Sequence, residues 1–483
     1  MIVRYRCCMG MSRSGRWIAG VLLAAFAARL VSIFAVSFVL RPDEIFQNLE
    51  PAHRLVTGYG VVTWEWRAGL RSWLMPEFYA AIMRLSADLG LGHAANVVHC
   101  VLAGLSLGLV GIAMAAGRKV AGPAGAALCA VAIAFWPDCI LYGPRTLAEA
   151  QGGELLSAGV LLAGLWLRGS RGRAQAVAIG FLLALSVMVR LQYLPGAALA
   201  VLWCAAARPA AIPFLLAGAL PALVLEGLVD WHASGVPFAP LWVNFHINYV
   251  QHRADVFGTQ SILFYPFVLA RGWGALTIPL VAGLVWGARS MRLELAAALA
   301  VVLTHSVIPH KEASFVFGAV PLLVVVAAAG VARQWQRIDR ANMRLNAACG
   351  AMALACILAL LSSYRVDRLE NVPYLHAMHI AARTRDICGV GQFNPGFGDW
   401  MDSGGYTTLD RPIPLYFART ARELGAMAPG FDLLIAPDDT RPQLPSSYVP
   451  VSCWRKICVL RRTGGCRETA APQISAELAA WGQ

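Results

Sequence analysis

The stretch VLRPDEIFQNLEPAHRLVTGYGVVTWEW, Val39 to Trp66, sets an adjacent acid pair, Asp43 and Glu44, at the end of a long apolar run. That run, Trp17 to Leu40, is preceded by Arg4, Arg6, Arg13 and Arg16. A helix of about 20 apolar residues crosses the hydrocarbon core of a bilayer. The run exceeds the usual core of a signal peptide, and no small-x-small cleavage pattern precedes the acids, so it reads as an uncleaved anchor. Carboxylates placed where a chain leaves hydrocarbon are costly to keep, and such groups mark function.

The composition extends this reading to the whole chain. Of its 483 residues, 58% are hydrophobic and 14% charged, and the mean hydropathy is +0.59. Soluble domains carry about 25% charged residues. The net charge of +13 would suggest nucleic acid in a soluble protein. Here the positives sit in short clusters between apolar runs, which is how membrane topology is encoded, so no nucleic-acid partner is expected. Some of these positives can meet lipid phosphates.

Further apolar runs follow at 94–116, 121–137, 149–167, 174–189, 194–207, 210–229, 271–288, 293–309, 315–332 and 344–363. With the first, that makes about eleven spans of a mostly α polytopic protein. The segment 72–89 is amphipathic and is expected along the interface, as is 259–270. With the N-terminus inside, the clusters at 117–119, 168–173, 289–292 and 333–344 all become cytoplasmic. Residues 41–93, 138–148, 190–193, 230–270 and 310–314, and everything after 364, then face the other side.

The region 364–483 changes character. Short strand-like pieces such as DLLIAP and KICVLRR alternate with turn-rich stretches such as NPGFGDW. We read a membrane domain over 1–363 and a small extracytoplasmic α/β domain over 364–483. Most of the 12 cysteines lie in apolar runs and read as small core residues. Cys388, Cys453, Cys458 and Cys466 lie in the polar region, where an oxidising compartment permits pairing in any of three ways.

The ionisable and hydrogen-bonding residues gather on one side. The first outer loop supplies Asp43, Glu44, Gln47, Glu50, His53, Trp64, Glu65, Trp66 and Arg71; later loops supply Arg145, Arg190, His310, Lys311 and Glu312. Singly, each has an ordinary reading: a solvated loop start for the acids, an interfacial belt for the tryptophans, snorkelling for Arg190. Together they suit transfer chemistry on a lipid-borne phosphate. Asp43 or Glu44 can deprotonate a hydroxyl, and Arg145, Arg190, His310 and Lys311 can receive charge on a leaving phosphate. Adjacent acids on a helix point about 100° apart, which is poor for chelating one ion, so no metal is expected.

In order and spacing, Pro42, Asp43, Glu44, Phe46, Gln47, Glu50, His53, Thr63, Trp64, Glu65, Trp66, Arg71 and Ser72 resemble the first luminal loop of glycosyltransferase family 22. Arg145-Thr146-Leu147 and His310-Lys311-Glu312 are similar to two further motifs of that family. The resemblance implies a C-type (GT-C) glycosyltransferase fold and a polyprenyl-phosphate sugar donor, mannose in that family. It implies inverting transfer to a hydroxyl of a lipid-linked or membrane-proximal glycan, giving an α-linkage. It makes Asp43 the base with Glu44 beside it; our reading of the residues themselves assigns Arg145, Arg190, His310 and Lys311 to the donor phosphate, and Gln47, Glu50, His53, Trp64, Glu65, Trp66, Arg71 and Glu312 to sugar or acceptor. The resemblance implies no cofactor, the lipid-phosphate sugar being a substrate. Two positions depart from the family pattern: Arg41 stands where His is usual, and Ser314 stands where Arg is common. The short loops are similar to those of bacterial members, which implies an inner-membrane enzyme with its site on the non-cytoplasmic face. One rival reading is a flippase or transporter of lipid-linked sugars; such carriers show internal repeats and midplane charges, which this sequence lacks; another is a C-type transferase for a different sugar or acceptor.

Overall fold

Where the sequence is continuously apolar, the chain is helical. The computed structural model describes residues 13–34, 39–169, 172–338, 344–363, 371–395 and 400–474. Seven of its helices are long and apolar enough to cross a membrane: Gly15–Phe34, Ala94–Phe135, Ala148–Arg168, Pro209–Ser234, Phe264–Gly287, Ala313–Ile338 and Leu345–Ser362. The 42-residue helix Ala94–Phe135 holds two of the expected runs, separated by a break at Ala121 and Gly122. Gly122 has φ +51°, and Pro123 follows it. Arg173–Val189 and Leu191–Ala207 are apolar but shorter, and Arg292–Ser306 takes the remaining run. The fold is therefore mostly α and matches the expected helix order.

Close helix crossings are made at glycines. A Cβ on Gly330 would lie 2.1 Å from the carbonyl oxygen of Gly283. A Cβ on Gly287 would lie 2.1 Å from that of Val326. Gly180 and Gly218 play the same part between Arg173–Val189 and Ile212–Ser234, each facing a backbone carbonyl of the other helix. Apolar side chains gain little by leaving lipid for one another, so close backbone approach is what holds such helices together.

Two of the arginines inside the bundle are satisfied locally. The helix Ala94–Phe135 ends because Pro137 has no N–H to give the carbonyl four residues back. Arg29, 1% exposed, fills that gap by donating to the carbonyls of Ile133 and Ala134. Arg168 pairs with the buried Glu294.

The segment expected to lie along the interface is the helix Leu74–Asp88. It buries Leu74, Tyr79, Ala80 and Met83 and leaves Phe78 and Leu85 exposed. The 259–270 stretch becomes the start of a helix, Phe264–Trp273.

After the last bundle helix the chain forms a helix, Asn371–Arg383, and a five-stranded sheet. The strands are β1 (Val390–Phe393), β2 (Leu415–Ala418), β3 (Leu433–Pro437), β4 (Val449–Trp454) and β5 (Ile457–Arg461), in the order β2-β1-β3-β5-β4. β1 runs parallel to β2 and β3, while β5 is antiparallel to β3 and β4. Disulfides join Cys388 to Cys466 and Cys453 to Cys458. The expected boundary near 364 lies outside the described residues, as does most of NPGFGDW. The two regions share one core: Ile45, Phe46, Leu49 and Ala52 of the first loop pack in the same cluster as Tyr374, Met378, Leu409, Leu433 and Val459.

Gly330→Leu should destabilise the protein by about 1–3 kcal/mol through overpacking. Its thermal unfolding midpoint in detergent should fall, whereas the same change at Gly350, which has open space around it, should leave the midpoint in place.

Candidate active site

The site begins with a single bent helix. Arg41 is extended (φ −145°), and Pro42 starts the helix where its missing N–H costs nothing. One turn, Pro42–Glu44, passes into a π turn, Ile45–Leu49, and then into Glu50–Thr57, which stops at Gly58 with φ +84°. The Asn48 side chain donates to the Asp43 carbonyl at 3.2 Å, spanning the widened turn. π turns of this kind occur disproportionately at functional sites.

Around this helix the charges are arranged in pairs. Glu44 accepts from Arg145 at 3.2 Å, Glu65 from Arg71 at 2.6 Å and Glu149 from Arg190, while Glu312 forms an ion pair with Arg41 at 3.4 Å. Asp43 lies within electrostatic reach of Glu65, Arg71, Glu149 and Glu312. Residues far apart in sequence therefore converge at one end of the bundle. Among the described residues, Asp43 is the acid of this cluster with no arginine bound to it, and its side chain remains partly accessible. Burial of its carboxyl, and then the negative charge of Glu65, push its pKa up to about 7, against the pull of Arg71. Burial also raises Glu44, opposed by Arg145. Burial pulls the Arg71 guanidinium down, but Glu65, Asp43 and Glu149 hold it above its ordinary value.

The anticipated phosphate ligands have different surroundings. Arg145 is 3% exposed and also donates to the Ser32 carbonyl at 3.2 Å. Thr146 donates to the Glu44 carbonyl at 2.7 Å. Arg145-Thr146 thus fixes Glu44 from both sides. Arg190, at the cluster, is partly exposed. Lys311 donates to the Gln260 carbonyl at 2.8 Å, and His310 contacts the Gly258 carbonyl at 2.8 Å. These bonds tie the 310–312 turn to the 253–261 loop. His310 Nε2 lies 3.7 Å from Glu312.

The anticipated sugar and acceptor residues divide likewise. Trp64 is partly exposed and carries Arg253 above its ring at 5.8 Å. Trp66 donates to the Phe46 carbonyl at 3.0 Å and meets the Trp73 ring at a tilt, centroids 4.4 Å apart. Gln47 is buried. His53 is buried and meets Asp410 at 3.2 Å, which holds the Asp410 carboxyl below its ordinary range. Glu50 is fully buried on the C-terminal region.

Some members of the site carried no signal in the sequence. Arg41 looked only like a departure from a pattern, yet it neutralises Glu312. Tyr265 has a buried hydroxyl with no hydrogen-bond partner, within electrostatic reach of Glu312. It lay in a stretch read as interfacial, where an isolated tyrosine is ordinary. Among the described residues, the groupings with metal-ligand geometry are Cys388, Asp432 and Cys466, and Asp438, Cys453 and Cys458. Their sulfurs are tied up in the disulfides, and both lie in the C-terminal region.

The fold and sequence can be set beside known proteins. The crystal structure of ArnT from Cupriavidus metallidurans bound to undecaprenyl phosphate superposes with a TM-score of 0.60 at 13% identity, covering 95% of this chain and 100% of that one. Its apo form gives a TM-score of 0.61 over 93% and 98%. The chain thus has the GT-C fold. GPI mannosyltransferase 3 of Yarrowia lipolytica is 30% identical over 344 residues, 66% of this chain and 63% of that protein. GPI mannosyltransferase 3 of Drosophila melanogaster is 45% identical over 74 residues, 15% of this chain and 13% of that protein. The alignments thus span less than two thirds of these relatives' own lengths. The model of the Alg9-like mannosyltransferase family matches residues 20–386, from the first apolar helix through the paired charges to the start of the C-terminal sheet, and the chain belongs to that family.

Proposed function

We propose that this chain transfers mannose from a polyprenyl-phosphate donor to a hydroxyl of a lipid-linked or membrane-proximal glycan, with inversion to an α-mannoside. The observation that carries this reading is the pairing pattern: each neighbouring acid is bound by an arginine, and Asp43 is left to act. A carboxyl raised to about 7 is a stronger base than an ordinary aspartate and still ionises at neutral pH. The relatives named for mannose transfer, and the fold shared with a protein crystallised with undecaprenyl phosphate, support the donor class.

In this reading Asp43 takes the proton of the acceptor hydroxyl as its oxygen attacks the anomeric carbon. The bond from that carbon to the phosphate oxygen breaks, and polyprenyl phosphate leaves with the electron pair. Arg190 and the 310–311 turn stand on the phosphate side, where cations stabilise the growing charge. Arg145 holds Glu44, and through the helix backbone it holds Asp43. Trp64 offers a face to a sugar ring. In this reading the site opens on the non-cytoplasmic side, a hand that the arginine clusters of the opposite loops favour.

In proteoliposomes given radiolabelled polyprenyl-phosphate mannose and extracted glycolipid acceptor, the wild type should form a new glycosidic linkage. Movement of intact donor without linkage would instead establish a carrier. Asp43→Asn should cut turnover by about 10²–10⁴-fold with the thermal midpoint unchanged. Undiminished turnover would remove Asp43 as base.

The base must be ionised, so kcat/KM should rise with pH to a plateau, with its midpoint near the Asp43 value of about 7. Glu65→Gln removes a negative neighbour and bares Arg71, so it should move that midpoint to lower pH. Arg71→Gln should move it to higher pH. Shifts of the same sign would show that the titrating group is elsewhere.

A further inference from the structure

Glu50 lies seven positions after Asp43 on the bent loop helix, about two turns or roughly 10 Å along its axis. Its carboxylate is fully buried. Oε1 accepts from the Val61 amide at 2.9 Å and the Tyr406 amide at 3.1 Å; Oε2 accepts from the Thr407 amide at 2.8 Å and the Thr407 hydroxyl at 2.6 Å. A carboxylate has about four acceptor positions, so these donors fill it. No face of Glu50 remains for a sugar hydroxyl, although its place in the motif suggested one.

The C-terminal region is shaped for this contact. Gly404 and Gly405 have φ +77° and +60°. A Cβ on Gly405 would lie 2.9 Å from the Phe46 ring and 3.2 Å from both Glu50 oxygens. Only glycine lets the 404–407 backbone come so close. Beside it, Phe46 meets Trp400 edge-on at 4.7 Å, His53 meets Asp410 at 3.2 Å, and the Asn371 side chain donates to the Val39 carbonyl at 2.7 Å. The loop helix is gripped before, within and after its π turn by residues that follow the bundle.

We infer that the C-terminal domain is a working part of the active site: through Glu50 and the 404–407 turn it sets the position of Asp43. Glu50 is a positioning residue, not a sugar ligand. A helix with a π turn in its middle is underwound there, and a fully bonded carboxylate two turns along fixes its rotation, and hence the direction of Asp43. This inference rests on Asp43 acting as the base. It adds that the domain's absence or loosening costs turnover more than binding.

The test uses the full-length protein in nanodiscs and compares Glu50→Gln, Thr407→Val and Thr420→Ala. The last removes a helix cap of the same region whose hydrogen bonds are to Glu423 and not to the loop helix. Thr407→Val and Glu50→Gln should each lower kcat about tenfold or more while KM for polyprenyl-phosphate mannose stays within about twofold. Both should raise deuterium uptake in peptides covering 42–57, and Thr420→Ala should do neither. Unchanged uptake in 42–57, or a loss confined to the KM of the acceptor, would overturn the inference; the second result would make Glu50 an acceptor ligand. If the wild type forms no mannoside, the proposed reaction fails, and the uptake measurement still decides whether Glu50 holds the loop. If Glu50→Gln does not fold, Thr407→Val carries the test, since it removes one donor and keeps the side-chain shape.

Discussion

A charge at the end of an apolar bundle must be compensated, and that requirement organises this protein. Taking a carboxylate out of water costs several kcal/mol unless a partner repays it. The arrangement of Glu44 with Arg145, Glu65 with Arg71, Glu149 with Arg190 and Glu312 with Arg41 is the repayment. Three of these four pairs also join segments distant in sequence, so neutralising the charges helps to assemble the cluster. Asp43 is compensated by position and protonation instead. Its proton affinity follows from the same burial that the pairs offset elsewhere.

The bundle and the C-terminal region act as one body around this cluster. The core that holds Phe46 and Leu49 also holds Tyr374, Leu409 and Val459. The loop helix carrying Asp43 is thus packed between membrane helices and sheet, not hung from the bundle alone. The superposition on ArnT at 13% identity fits this picture. Helix packing through small residues tolerates wide sequence change so long as backbones can meet, as Gly283, Gly287 and Gly330 do here.

Much of this was legible in the residues. Apolar length located the helices. The break inside Ala94–Phe135 falls where Gly122 and Pro123 stand, a signal any reader would flag. The spacing from Pro42 to Ser72 singled out the loop that carries the site. What the sequence could not supply was who holds whom. Arg145 and Arg190 have the same composition signal, yet one is sealed onto Glu44 and the other stays partly open. Glu50 and Glu65 look alike on paper, yet one is bonded to a segment more than 350 residues away. Pairing is decided by three-dimensional proximity, and adjacency along the chain does not encode it. The choice of Cys388 with Cys466 and Cys453 with Cys458 was hidden for the same reason.

The π turn at Ile45–Leu49 has a consequence for how this family can change. A π turn holds one residue more than an α turn in the same stretch of helix. The widened turn absorbs that residue locally, so the helix on either side stays nearly in register; without it, a residue gained between Asp43 and Glu50 would turn one against the other by about 100°. Side chains lining this turn can change without touching that register, but closing the turn without losing a residue would break it.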